Sequence, residues 1–173
     1  MTTPSEQTYL TRTFEDHRHA WTRTHRVRTL AVLGEAALLT VLVVATLVWS
    51  ATDAGWDLAY VVVWTAGLLL FIPLHSLLNL GIRGLYDRRR SSLDEHQREV
   101  RERSHTAVGA PVTLLSLVAW AAGIGLVAWT GHVELALCLA FLLWFASCLL
   151  PSWHLAWTLP DEEDAEADEA LPA

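Results

Sequence analysis

Four long apolar stretches constrain this chain more than any other feature of its sequence. Each is longer than the roughly 20 residues that cross about 30 Å of hydrocarbon as an α-helix. Backbone groups in lipid must pair within their own segment, so helices are the expected form. We therefore predict an all-α fold, a membrane four-helix bundle. The predicted spans are residues 29–49, 58–80, 106–129 and 135–157.

The placement of basic residues predicts the orientation of these spans. All twelve basic residues are arginine, and they lie either before the first span or between the second and the third. The short connections at residues 50–57 and 130–134 contain none. Because arginine-rich loops stay in the cytoplasm, we expect a multi-pass protein of the cytoplasmic (inner) membrane. Its two hairpins would both start inside, with the N-terminus and the C-terminus cytoplasmic.

The polar segments divide the rest of the chain. Residues 1–28 are predicted to be a cytoplasmic amphipathic segment, and residues 81–105 a cytoplasmic helical loop between the hairpins. Residues 158–173 form an acidic tail that has the composition of a disordered segment. The tail accounts for the formal net charge of −7, since the last thirteen residues alone include seven acids. No nucleic-acid partner is predicted.

Local signals indicate where helices begin in the polar segments. Ser92 followed three residues later by Glu95 resembles a capping box, which predicts a helix from about Leu93 that runs straight into the third span. Glu99 and Arg103 are four residues apart and would form a favourable pair on that helix. The stretch 13–28 is expected to behave likewise before the first span.

Four polar residues of the spans are the candidate functional site. Glu35, His75, Asn79 and His154 should all lie in the inner leaflet, where an ionisable group is costly to keep. A carboxylate and two imidazoles could relay protons, or Glu35, His75 and His154 could bind a divalent metal. Two histidines could also ligate haem. Alternatively, these side chains only form hydrogen bonds across the bundle.

Several further features have a structural and a functional interpretation. Arg88, Arg89 and Arg90 could bind anionic lipid headgroups, or they could serve only as a topology signal. The pairs Ala119–Gly123 and Ala121–Gly125 favour close helix packing, inside the bundle or between protomers. Cys138 and Cys148 would lie roughly 15 Å apart on one helix, too far for a disulfide.

Two stretches carry a family resemblance. The loop sequence LDEHQREVRERSH, from Leu93, resembles the LDERQ-x-VR-x-R segment of small uncharacterised multi-span membrane proteins of actinobacteria. The stretch LPSWHLAWTLPDEED, from Leu150, is similar to the LP…AW-x-LPDE ending of the same proteins. His96 stands where an arginine is usual. The resemblance covers mainly the second half of the chain and implies a bacterial, multi-span membrane protein without implying an activity.

These observations favour a non-enzymatic membrane protein. We expect an accessory, scaffold or regulatory subunit that acts through association in the membrane, as a homo-oligomer or with another membrane protein. The alternatives are a small proton-coupled transporter or channel that uses Glu35, His75 and His154, and a haem- or metal-binding membrane protein. No cofactor is predicted outside that last alternative, because no HExxH, CxxC or GxGxxG sequence supports a ligand assignment.

Overall fold

Four long α-helices make up most of the chain. The computed structural model describes residues 13–14, 17–52 and 57–161, and this part of the chain contains no β-strand. All four helices are long and apolar enough to cross a membrane, which confirms the predicted all-α fold with its four apolar spans. The helices are α1 His25–Ala51, α2 Leu58–Gly81, α3 Glu95–Thr130 and α4 Val133–Thr158. Two 3-10 helices cover His17–Arg23 and Arg90–Ser92.

The start of α3 confirms one prediction and corrects another. The helix runs without interruption from Glu95 to Thr130, so the loop helix does continue into the third span. The predicted cap of Ser92 and Glu95 is wrong by two residues. Asp94 Oδ1 accepts from the Gln97 backbone N–H at 2.7 Å, and Gln97 Oε1 accepts from the Asp94 N–H at 3.3 Å. Ser92 is instead the last residue of the preceding 3-10 helix, and its hydroxyl donates to the Arg89 carbonyl.

The segment before α1 is not the continuous helix that was predicted. The 3-10 helix ends at Arg23, Thr24 is a bend, and α1 begins at His25. The hydroxyl of Thr22 donates to the His19 carbonyl at 2.7 Å, and that of Thr24 donates to the Trp21 carbonyl at 3.2 Å. Such bonds three residues back compete with the regular helical ladder. The threonines thus separate the 3-10 helix from α1.

The described residues fall into two compact units. The first, here called the arginine unit, comprises residues 13–14, 17–33, 75–107 and 151–161 and contains every described arginine. Its core brings together the first turns of α1, the end of α2 with the turn after it, and the end of α4. The buried core residues are Ala31, Val32, Leu78, Ile82, Leu85, Leu93, Leu155 and Ala156.

The second unit, here called the apolar unit, comprises residues 34–52, 57–74 and 108–150. Helices α1 and α2 pack closely at Gly67, because a Cβ added to this glycine would lie 2.8 Å from the Leu42 side chain. Helices α3 and α4 pack closely at Gly123, where an added Cβ would lie 3.1 Å from the Cβ of Ala140. These contacts pair the helices as the two predicted hairpins.

The two small-residue pairs of α3 differ in their environment. Ala119 is buried, and Gly123 packs on α4. Ala121 is exposed, and nothing lies within 4 Å of the position of a Gly125 Cβ. Within the described part of the chain, the first pair therefore packs against another helix and the second does not. Both cysteines, Cys138 and Cys148, are free thiols, as predicted.

Candidate lipid-headgroup site

The predicted polar residues occupy different environments. Glu35 lies in the apolar unit, on α1, and its side chain is completely buried. His75 lies in the arginine unit and is half-buried. Asn79, one turn further along α2, donates from its side-chain amide to the Asp87 carboxylate. That bond fixes Asn79 to the turn that follows α2.

His154 has a defined partner on α3. Its Nδ1 lies 3.1 Å from the Ser104 hydroxyl, which also lies 3.0 Å from the Pro151 carbonyl. A carbonyl can only accept, so both bonds form when Ser104 donates to Pro151 and accepts from a protonated His154 Nδ1. This polarity is opposite to that of a serine nucleophile activated by a histidine base. The pair ties α4 to α3.

Tyr86 completes this polar cluster. Its hydroxyl donates to the same Pro151 carbonyl at 3.3 Å. Burial raises the pKa of Tyr86 above its ordinary value, although the Ser104 hydroxyl and the Arg101 charge act in the opposite direction. The phenol therefore remains a neutral donor at physiological pH. Three side chains, Tyr86, Ser104 and His154, thus use their hydrogen bonds to hold the arginine unit together.

The residues that the structure describes contain no group of three histidine, cysteine, aspartate or glutamate side chains that could hold a metal ion. The proposed ligands Glu35, His75 and His154 do not form such a group. That Glu35, His75 and His154 relay protons remains a prediction.

The predicted headgroup arginines line a cavity of about 290 Å³. Arg89 and Arg90 are exposed, whereas Arg88 is only 4% exposed and donates to the Ser92 carbonyl at 2.8 Å. Arg88 thus stabilises the turn that carries the exposed Arg89 and Arg90. Among the residues that the structure describes, the lining consists of Arg88, Arg89, Arg90, Leu93, Arg98, Arg101, Glu102 and His105. This described set, with five arginines and one acidic residue, is named the loop arginine cavity.

Two arginines of this cavity were absent from the predicted site. Arg98 Nε donates to the Arg90 carbonyl at 2.9 Å, and Arg101 Nη1 donates to the Arg88 carbonyl at 3.1 Å. The Arg101 guanidinium also lies 5.5 Å from the centre of the Tyr86 ring, within the range of a cation–π contact. The sequence could have indicated both arginines, because Arg98 and Arg101 are three residues apart on the predicted helix and therefore lie on the same face.

The loop arginine cavity is suited to an anion with several oxygens. A guanidinium presents its N–H groups in a planar fork that matches phosphate and carboxylate. Backbone carbonyls and a ring hold Arg98 and Arg101 in place, which reduces the side-chain entropy lost on binding. Glu102 forms an ion pair with Arg90 in which both side chains are exposed, so water already weakens this competing interaction.

Comparison with known proteins adds no further identification. No protein-family model, no curated protein and no solved structure matches this chain.

Proposed function

We propose that this chain is a multi-pass protein of the cytoplasmic membrane that acts by association rather than catalysis. In this proposal both termini and the loop at residues 81–105 face the cytoplasm, and the loop arginine cavity binds anionic lipid headgroups. The observation that supports the proposal is that the described lining residues of one cavity include five arginines and one acid. Anionic headgroups attract basic segments at the cytoplasmic surface, and each arginine there contributes about 1 kcal/mol.

Charge-neutralising variants test headgroup binding. We expect Arg89→Gln combined with Arg98→Gln to weaken retention of phosphatidylglycerol about thirtyfold, since two such contacts amount to about 2 kcal/mol. The measurement is native mass spectrometry of the protein from mixed phosphatidylglycerol and phosphatidylcholine nanodiscs. Arg26→Gln with Arg103→Gln is the control, because it removes the same charge from exposed residues outside the cavity. Equal retention by the two double variants would contradict the proposal.

The apolar surface of α3 supports the association part of the proposal. Leu114, Leu117, Trp120 and Ile124 are each between 62% and 69% exposed, and such a surface suits lipid or a second membrane helix. Subunit counting by single-molecule photobleaching in lipid nanodiscs tests self-association, and affinity purification in mild detergent tests other partners. Single-step bleaching together with no stoichiometric partner would reject association.

Proton-coupled transport is the second candidate. The observation in its favour is the complete burial of Glu35 on an apolar helix, because intramembrane carboxylates commonly belong to proton or ion pathways. It predicts that Glu35→Gln and His75→Ala each abolish a proton-linked flux into proteoliposomes while the helical content is unchanged. A flux equal to that of the unmodified protein would reject this candidate.

A further inference from the structure

Two exposed tryptophans of the apolar unit lie near the middle of their helices. Trp120 is ten residues before the end of α3 at Thr130, and Trp144 is eleven residues after the start of α4 at Val133. At about 1.5 Å per residue, each lies about 15 Å from that end of its helix, which is half of the roughly 30 Å of hydrocarbon in a bilayer. Their side chains are 68% and 45% exposed. Trp120 and Trp144 are here named the indole pair.

The N–H groups of the indole pair have no hydrogen-bond partner among the residues that the structure describes. By contrast, Trp49 donates to Asp57 Oδ1 at 3.0 Å, and Trp64 donates to the Thr46 hydroxyl at 3.2 Å. An N–H group without an acceptor is costly in hydrocarbon, and tryptophan accordingly concentrates at the membrane–water interfaces. Two unpaired indoles at mid-depth therefore indicate that their acceptor comes from outside the bundle.

Two contacts between α3 and α4 determine the level and the direction of the indole pair. The Ser116 and Ser147 hydroxyls lie 3.0 Å apart, and a Cβ added to Gly123 would lie 3.1 Å from the Cβ of Ala140. Each tryptophan lies between the two contact residues of its own helix, four residues after one and three before the other. This spacing turns both side chains about 50° in the same sense around their helices. Because these contacts make α3 and α4 antiparallel, both indoles lie at one level and on one side of the α3–α4 contact.

Aromatic and aliphatic side chains surround the indole pair. The ring centre of Trp144 lies 6.0 Å from that of Phe141, which stacks on Phe145 with the ring centres 5.6 Å apart. Phe141 is 39% exposed, and Ile124, one turn after Trp120 on α3, is 69% exposed. Sites for small molecules are typically apolar and aromatic with a few oriented polar groups. The polar groups of this surface are two hydrogen-bond donors.

The acceptor for these donors has to be present at mid-depth in the bilayer. The ester carbonyls of phospholipids lie at the interface, about 15 Å away, and the backbone carbonyls of another spanning helix are already bonded within that helix. A quinone dissolved in the bilayer reaches this depth, because it is uncharged and its flat ring is largely apolar. The ring carries two carbonyl oxygens on opposite edges, and its face can stack on an aromatic side chain. Two acceptors thus match the two donors of the indole pair.

We propose that the indole pair binds the ring of a lipid-soluble quinone. Each indole N–H donates to a carbonyl oxygen of the quinone, and the quinone ring packs against the aromatic surface around Trp144. The proposal rests on the membrane placement proposed above. It does not rest on headgroup binding, because the indole pair belongs to the apolar unit and the described lining of the loop arginine cavity to the arginine unit.

The test uses the full chain in phosphatidylcholine nanodiscs. The melting temperature is measured as decylubiquinone is added, and its rise with concentration gives the dissociation constant. Decylbenzene is the reference compound, because it has a ring and an alkyl chain but no carbonyl. Trp120→Phe and Trp144→Phe each keep an aromatic ring and remove the N–H donor. Trp129→Phe is the control, because it makes the same change at the end of α3, where the side chain is 89% exposed.

We expect Trp120→Phe and Trp144→Phe each to weaken quinone binding about fivefold, as the loss of one neutral hydrogen bond does. The double variant should weaken binding about 25-fold if the two losses add, and Trp129→Phe should leave it unchanged. The proposal is overturned if decylubiquinone raises the melting temperature no more than decylbenzene does. It is also overturned if either variant of the indole pair binds the quinone as Trp129→Phe does.

Two further measurements separate this proposal from the membrane placement and from self-association. Phosphatidylcholine brominated near the ends of its acyl chains should quench a smaller fraction of the tryptophan fluorescence in the double variant than in the unmodified protein. Equal quenching would overturn the membrane placement and this proposal together, whereas lower quenching without quinone binding would overturn this proposal alone. Subunit counting in quinone-free nanodiscs is the second measurement. Dimers that the double variant dissociates would show that a second copy covers the indole pair, and would overturn the proposal.

Discussion

The two units of this protein are stabilised by different interactions. In the arginine unit, guanidinium groups donate to backbone carbonyls, as Arg28 does to Leu159 and Arg98 does to Arg90. In the apolar unit, helices approach closely at Gly67 and Gly123, and hydroxyls form cross-helix hydrogen bonds such as that between Ser116 and Ser147. The described residues of the apolar unit include no arginine and only three acidic side chains, Glu35, Asp57 and Glu134.

This difference follows from the energetics of the two kinds of contact. A hydrogen bond from a charged donor contributes about 1.5–3 kcal/mol, whereas a hydrogen bond between membrane helices averages about 0.6 kcal/mol. One arginine can therefore anchor a helix end, whereas helices in lipid depend on packing. The apolar unit also has a hydroxyl network, in which Thr46 lies 3.2 Å from the Tyr60 hydroxyl and accepts from Trp64 at 3.2 Å.

The largest effect is expected at Arg28. Arg28→Met keeps a flexible side chain about as long as the aliphatic part of arginine but removes the bonds to the carbonyls that follow α4, and it should lower the free energy of unfolding by about 3 kcal/mol. Titration with sodium dodecyl sulfate, followed by tryptophan fluorescence, measures that free energy. Arg26→Met is the control on the exposed face of the same turn. Equal effects of the two variants would show that charged anchoring does not stabilise the arginine unit.

An intermediate effect is expected at the glycines of α3. Gly123→Leu forces a side chain against Ala140, whereas Gly125→Leu enters open space. Both variants gain the same helix propensity, so the difference between them isolates overpacking, at about 2 kcal/mol. The same detergent titration measures it. If Gly125→Leu destabilises the fold as much as Gly123→Leu, close packing on α4 is not what stabilises this part of the apolar unit.

The smallest effect is expected from a single hydroxyl of the apolar unit. The hydroxyls of Ser116 and Ser147 lie 3.0 Å apart, joining α3 to α4. Ser116→Ala should lower the free energy of unfolding by about 0.6 kcal/mol, because Ser147 keeps its 2.6 Å bond to the Trp144 carbonyl. Thr113→Ala, whose hydroxyl bonds only within α3 in the described contacts, is the control. A loss near that expected for Arg28→Met would remove the contrast between the units.

Some elements of this protein follow from the sequence alone. Each helix that is long and apolar enough to cross a membrane agrees with a predicted span, and α3 continues through the loop as predicted. Hydropathy is a sum over neighbouring residues, so it needs no knowledge of tertiary contacts. The Glu99–Arg103 ion pair at 2.9 Å was predictable for the same reason, since both residues lie one turn apart on a single helix.

Other features were decided only by the tertiary structure. Arg28 binds the chain just beyond α4, more than 130 residues away in sequence, and no local pattern predicts that contact. Asp94 rather than Ser92 caps α3, because Ser92 ends the preceding 3-10 helix and its hydroxyl bonds to the Arg89 carbonyl. Which pair of small residues in α3 meets a neighbour depended on helix rotation. Hydrophobicity determines that a segment becomes a membrane helix, whereas only packing determines which face of it meets another helix.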